Sequence, residues 1–157
     1  MKKAILSIII MAFCLAGKGQ DISEADDSLT TMPKRNVVYV SGPSIPGIMM
    51  SFSFNYEGML SYKPDKFITS LWLRIGGGPY SSWGDNGAIF ISTLTALTGK
   101  KNSHFELGLG MSFISRPGLI LPAVSLGYRY YNPGKALFFR TGGGFPEIFY
   151  LGIGISF

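Results

Sequence analysis

From Asn36 to the carboxyl terminus, apolar and polar residues alternate with a period of two. Met50, Phe52, Phe54 and Tyr56 interleave with Ser51, Ser53, Asn55 and Glu57; Phe105, Leu107, Leu109, Met111 and Phe113 interleave with His104, Glu106, Gly108, Gly110 and Ser112. Two is the side-chain period of a β-strand, so each run carries two chemically different faces. Similar runs lie near 36–42, 66–77, 86–98, 120–131, 136–144 and 148–157. Turn chemistry separates them: 58–65 with Pro64, Gly99-Lys100-Lys101-Asn102, Arg116-Pro117-Gly118, Asn132-Pro133-Gly134 and Phe145-Pro146-Glu147. The expectation is an all-β domain over 36–157, an eight-stranded antiparallel up-and-down transmembrane β-barrel with strands of ~9–11 residues. Whether 36–42 is a full strand stays open, as does the facing of 86–98, where Ser92-Thr93-Leu94-Thr95 mixes the two faces.

Alternation does not by itself say which face points outward. A soluble lipocalin-type barrel has the same period with its apolar face inside. The polar face separates the two. A water-facing surface is rich in Lys and Glu, whereas this one is mostly Gly, Ser, Thr and Asn, and only 15% of the chain is charged. Small polar side chains suit the crowded lumen of an eight-stranded barrel. The apolar face also sets Tyr56, Phe67, Phe105, Phe113, Tyr128, Tyr130, Phe149 and Phe157 near strand ends, where interfacial girdles of a membrane barrel lie. Glu57, Glu106, Arg129 and Arg140 then face the lumen, where a charge must be paired. Glu106 and Arg129 fall on neighbouring strands at similar height and are expected to bridge, with Arg140 and Glu57 completing a plug.

The amino-terminal end fits that address. Lys2 and Lys3 precede an apolar run from Ala4 to Ala16, too short for the ~20 residues of a spanning helix, and Gly17-Lys18-Gly19 offers the small-x-small spacing of a signal peptidase site. Residues 1–19 read as a cleaved signal peptide and 20–35 as a flexible polar periplasmic lead. Cys14 is preceded by Phe13 rather than by the small residue that lipidation needs, and the single cysteine leaves with the signal. The mature chain thus enters an oxidising compartment with no disulfide to form. The formal charge of +5 also shrinks with the loss of Lys2, Lys3 and Lys18, and the near-neutral remainder argues against nucleic acid as a partner.

At the other end, Phe149, Leu151, Ile153, Ile155 and Phe157 occupy one face of the last run. With Gly152, Ile155 and Phe157 at their spacing, this ending resembles the β-signal read by the barrel-assembly machinery. A carboxyl end at the periplasm makes the turns at 58–65, 99–102 and 132–135 periplasmic, and those at 43–46, 78–86, 115–119 and 145–147 extracellular. The stretch from Gly76 to Gly87 is expected as the one sizeable extracellular loop, with Tyr80, Trp83 and Asp85 upon it. Asn36-Val37-Val38-Tyr39, Asn55-Tyr56-Glu57, Leu73-Arg74-Ile75-Gly76, Leu97-Thr98-Gly99-Lys100-Lys101, Glu106-Leu107-Gly108-Leu109-Gly110, Gly127-Tyr128-Arg129-Tyr130 and Phe138-Phe139-Arg140 together resemble the small outer-membrane β-barrel proteins of the Bacteroidota type. That resemblance implies an eight-stranded barrel in the cell outer membrane and brings no catalytic residue with it.

Catalytic chemistry is thin. The lone His104 shares a face with Glu106 beside an expected periplasmic turn, the wrong end for a barrel enzyme that edits outer-leaflet lipid. No His or Cys cluster suggests a metal. Neither Gly76-Gly77-Gly78 nor Gly142-Gly143-Gly144 leads into the Gly-Lys-Ser/Thr and helix of a phosphate loop. The expectation is a non-enzymatic, cofactor-free, monomeric envelope protein in contact with outer-membrane lipid, its lumen filled by side chains and serving envelope structure or surface and periplasmic contacts. The alternative is a narrow pore or lipid-associated transport component.

Overall fold

The computed structural model describes residues 34–42, 49–82, 85–99, 102–132 and 135–157. Residues 1–19, expected as a signal peptide, most of the expected polar lead and Trp83 lie outside them. The period-two runs become strands β1 (Asn36–Ser41), β2 (Met49–Ser51), β3 (Ser53–Tyr62), β4 (Ile68–Ser82), β5 (Asp85–Thr98), β6 (Ser103–Ile114), β7 (Leu119–Tyr131), β8 (Leu137–Phe145) and β9 (Phe149–Ser156). β2 and β3 are two segments of one barrel strand, interrupted at Phe52 and both paired to β4, so the closed antiparallel barrel has eight staves. Sequential neighbours pair throughout, and β1 closes the circle against β9, with Val37 opposite Ser156 and Ser41 opposite Gly152. The last residue seals the seam. Phe157 N–H donates to the Asn36 carbonyl at 2.9 Å, and Asn36 N–H returns a bond to the Phe157 carbonyl at 3.1 Å. Closure leaves no free edge around the ring, which removes the liability of an open sheet.

The apolar face points outward. Phe54, Ile75, Phe90, Phe105, Leu107, Leu109, Met111, Val124, Leu126, Leu151, Ile153 and Ile155 are exposed, while Glu57, Glu106, Arg129 and Arg140 are fully buried. That inverts the usual distribution of a water-soluble domain. β5 follows the same parity, with Phe90 and Leu94 outside and Thr93 and Thr95 inside, but Ile89, Ile91 and Leu97 also face the lumen. The mixed composition that leaves its facing open in the sequence reflects these inward apolar residues.

Three expectations need correction. The stretch from Gly76 to Gly87 is not a large loop, because β4 runs to Ser82, β5 starts at Asp85, and the two pair up to that point. The triple glycine lies inside a strand, where a Cβ on Gly77 would meet Phe90 at 2.9 Å and the Ile89 carbonyl oxygen at 3.0 Å; glycine admits a close neighbour there rather than a turn. Tyr80, expected on the loop, is buried against Ile89, Ile91 and Ala123, and its hydroxyl donates to the Arg116 carbonyl. Asp85 begins β5 opposite Ser82. Likewise the expected turn at 58–65 starts too early: β3 continues to Tyr62 through a bulge between Met59 and Ser61, which disturbs the alternation and hides the strand.

The lumen is also less polar than the sequence suggests. At the end where β1 begins and β9 finishes, Val37, Tyr39, Trp72, Leu97, Tyr131 and Phe138 form a buried cluster, with Met59 packed against it. The Tyr131 hydroxyl donates to the Lys34 carbonyl and Trp72 donates to Ser70 Oγ at 2.9 Å, so these amphipathic rings fill space without stranding their polar atoms.

Candidate functional site

Above this aromatic floor lies a charged ring contributed by four strands. Glu57 comes from β3, Glu106 from β6, Arg129 from β7 and Arg140 from β8, each on the inward parity of its strand. Arg129 and Arg140 face each other across the β7–β8 ladder, a like-charge arrangement that is unfavourable unless carboxylates intervene. Both carboxylates do. Arg129 Nη2 lies 2.6 Å from Glu57 Oε2 and 2.7 Å from Glu106 Oε2. Arg140 Nη1 lies 3.3 Å from Glu57 Oε1, and its Nη2 donates to Glu106 Oε1. Each acid thus meets both bases, and the four charges cancel.

Local backbone chemistry makes room for this ring. A Cβ at Gly152, opposite Arg140 on β9, would lie 2.8 Å from Arg140 Cγ and 3.2 Å from the Tyr39 ring. Gly127 and Gly142, paired across β7 and β8, leave the slot occupied by the Tyr150 hydroxyl, which a Cβ at either would meet at 2.5 Å. Tyr150 donates to Glu106 Oε1 at 3.3 Å, and Tyr39 donates to Glu57 Oε1 at 2.6 Å while accepting from Arg140. Aromatic faces cover the guanidinium planes: Arg129 lies 5.0 Å from the centroid of Phe138 and 5.5 Å from that of Trp72, and Arg140 lies 4.4 Å from that of Tyr150.

A second ion pair sits toward the opposite mouth. Arg74, inward on β4 between exposed Leu73 and Ile75, meets Glu147 from the β8–β9 turn in a two-pronged pair, Nη1 to Oε2 at 2.9 Å and Nη2 to Oε1 at 3.1 Å. The Arg74 Nε donates to Asn55 Oδ1 at 2.8 Å, and Asn55 Nδ2 donates in turn to Ser41 Oγ at 3.1 Å. Burial alone would raise the Glu147 carboxyl, but the charge and hydrogen bonds of Arg74 outweigh it and hold the group below its ordinary value. Beside the pair is a recess with room for roughly one water molecule, lined by Arg74, Ile91, Thr93, Ala123, Val124, Ser125, Phe145, Pro146 and Glu147.

The structure therefore brings Glu57, Glu106, Arg129 and Arg140 into one ring, and adds Arg74, Glu147, Tyr39, Asn55 and Tyr150, which the sequence reading did not single out. The parity of Arg74 on β4 is a usable signal for it. Glu147 has none, because a turn residue carries no period. His104 is inward and lies opposite Arg129 on the β6–β7 ladder, and the neighbouring Glu106 is committed to the arginines. Among the described residues no group of three or more His, Cys, Asp or Glu side chains could hold a metal ion. Of the suggested assembly signal, Gly152 is inward, and Ile155 and Phe157 are exposed on the outer wall.

No family model, curated protein or solved structure matches this chain.

Proposed function

We propose that the protein is a non-catalytic outer-membrane β-barrel that contributes to envelope structure or to surface and periplasmic contacts, with its lumen closed by its own side chains. The observation that carries this reading is the inverted distribution of polarity: a continuous apolar outer wall around a buried, charge-balanced interior. Exposed apolar surface on that scale is costly in water and favourable against lipid tails. The aromatic floor and the ring above it support a closed lumen, since an ion crossing would have to displace both. Within this reading the chain is a monomer surrounded by outer-membrane lipid, exported by residues 1–19 and assembled through Gly152, Ile155 and Phe157, as in the small barrels of the Bacteroidota type that it resembles.

The test is fractionation followed by a denaturing gel and planar-bilayer recording. Recovery in the outer membrane, different mobility of boiled and unboiled samples, and no unit conductance are expected. A soluble periplasmic protein without a mobility shift would defeat the membrane assignment, and stable single-channel steps would replace the closed barrel with the narrow pore.

A further inference from the structure

Among the described residues, Glu147 is the one charged member of the lumen network that comes from a turn rather than a strand. Its carboxylate accepts three hydrogen bonds: Oε2 accepts from Arg74 Nη1, and Oε1 accepts from Arg74 Nη2 and, at 3.5 Å, from Ser53 Oγ. Two hydroxyls lining the same recess are not used. Thr93 is paired directly across from Arg74 on the β4–β5 ladder, and neither Thr93 Oγ1 nor Ser125 Oγ has a hydrogen-bond partner, although the residues are only 3% and 6% exposed. Buried hydroxyls without partners carry a desolvation cost. The Glu147 carboxylate leaves both these donors unmet, whereas a tetrahedral anion against Arg74 has more acceptor oxygens to offer them.

We propose that Arg74 is a binding site for a phosphate group, that Glu147 occupies the site as a built-in competitor, and that Thr93 and Ser125 supply the hydroxyl donors which discriminate phosphate from carboxylate. Exchange keeps an anion against Arg74, so the buried guanidinium is never left without a counter-charge. The displaced carboxylate has a short way to water, since its turn is flanked by exposed Phe145 and Ile148. Access from the side is available as well. The β7–β8 ladder begins at Val124 opposite Phe145, so Leu119–Ala123 of β7 rise above the end of β8, and the outward Val124 and Phe145 both border the recess. A phosphate carried on an apolar tail would have its tail along this wall. The site does not depend on membrane residence and stands apart from the reading above.

The experiment is calorimetric titration of the folded full chain in a nonionic maltoside with inorganic phosphate, with dihexanoylphosphatidic acid and with acetate. Glu147→Gln removes the competitor and is expected to tighten phosphate binding by at least about tenfold, and Arg74→Met on that background is expected to abolish it. Phosphate binding no tighter in Glu147→Gln than in wild type, or binding that survives Arg74→Met, overturns the proposal. If Glu147→Gln does not fold, the wild-type chain is compared with Thr93→Val/Ser125→Ala, which leaves both charges intact: a saturable response to phosphate but not acetate that the double variant loses supports the site, and identical responses overturn it. Tighter binding of the short-chain lipid than of free phosphate identifies a lipid headgroup as the source, and equal affinities identify the free ion; either supports the site.

Discussion

Gly152 on β9 stands directly across from Arg140 on β8, and a methyl group at 152 would lie 2.8 Å from Arg140 Cγ. The obstruction falls on the middle of a side chain whose head is pinned by two carboxylates and by Tyr39, so Arg140 has little freedom to give way. Gly152→Ala is expected to cost about 1–3 kcal/mol through overpacking. Unfolding of purified, refolded protein in lipid vesicles measures this without the assembly machinery. A normal midpoint there, combined with poor assembly in cells, would make Gly152 a recognition residue alone.

The ring predicts strong coupling. Glu106→Gln or Arg129→Met alone leaves a buried charge with its balance lost and is expected to cost ~3–5 kcal/mol. The double variant restores neutrality, since Glu57 still faces Arg140, and its cost is expected to fall short of the sum by more than about 1 kcal/mol. Strict additivity of the urea midpoints would falsify the ring as a coupled unit.

The outer wall predicts a depth effect. Leu109 is 55% exposed midway along β6, so Leu109→Arg is expected to lose ~2–4 kcal/mol in a bilayer. A Cβ on Gly108, its inward neighbour, would lie 3.5 Å from Thr95 Oγ1 and closer still to the Ser125 hydroxyl; Gly108→Ser tests crowding in the lumen rather than contact with lipid. A neutral Leu109→Arg in vesicles would mean that this wall does not meet the hydrocarbon.

Acid acts on the mouth through Glu147. Its folded value lies below the ordinary 4.5, so ionised Glu147 stabilises the fold; that contribution is complete above about pH 4.5 and is lost as pH falls through the lowered folded value. The stability gap between wild type and Glu147→Gln is therefore expected to be constant at neutral pH and to shrink below about pH 4.5. A gap that persists unchanged into stronger acid would show that the Arg74 pair does not set it.

The strands and their facing were legible in the sequence because a two-residue period survives wherever one face is apolar and the other is not. Met50 to Glu57 and His104 to Phe113 put Glu57 and Glu106 on the polar face, the small, sparsely charged residues of that face turn it inward, and the same parity puts Arg129 and Arg140 there. The period fails where its cause is absent. Gly76-Gly77-Gly78 has no side chains to alternate and looks like a loop, the bulge after Met59 shifts the parity, and Ile89, Ile91 and Leu97 face inward where neighbouring apolar groups, not water, await them.

Local pattern thus determined which residues enter the lumen, and closure of the barrel decided whom they meet there. Glu57 and Arg129 belong to strands that share no ladder, and Arg74 finds Glu147 across 73 residues, on a turn that β8 and β9 carry into position. Such contacts follow from the circumference, stagger and seam of the ring, which arise only when β1 pairs with β9. Alternation places a side chain on a face; only the closed tertiary structure brings opposite faces within hydrogen-bonding distance.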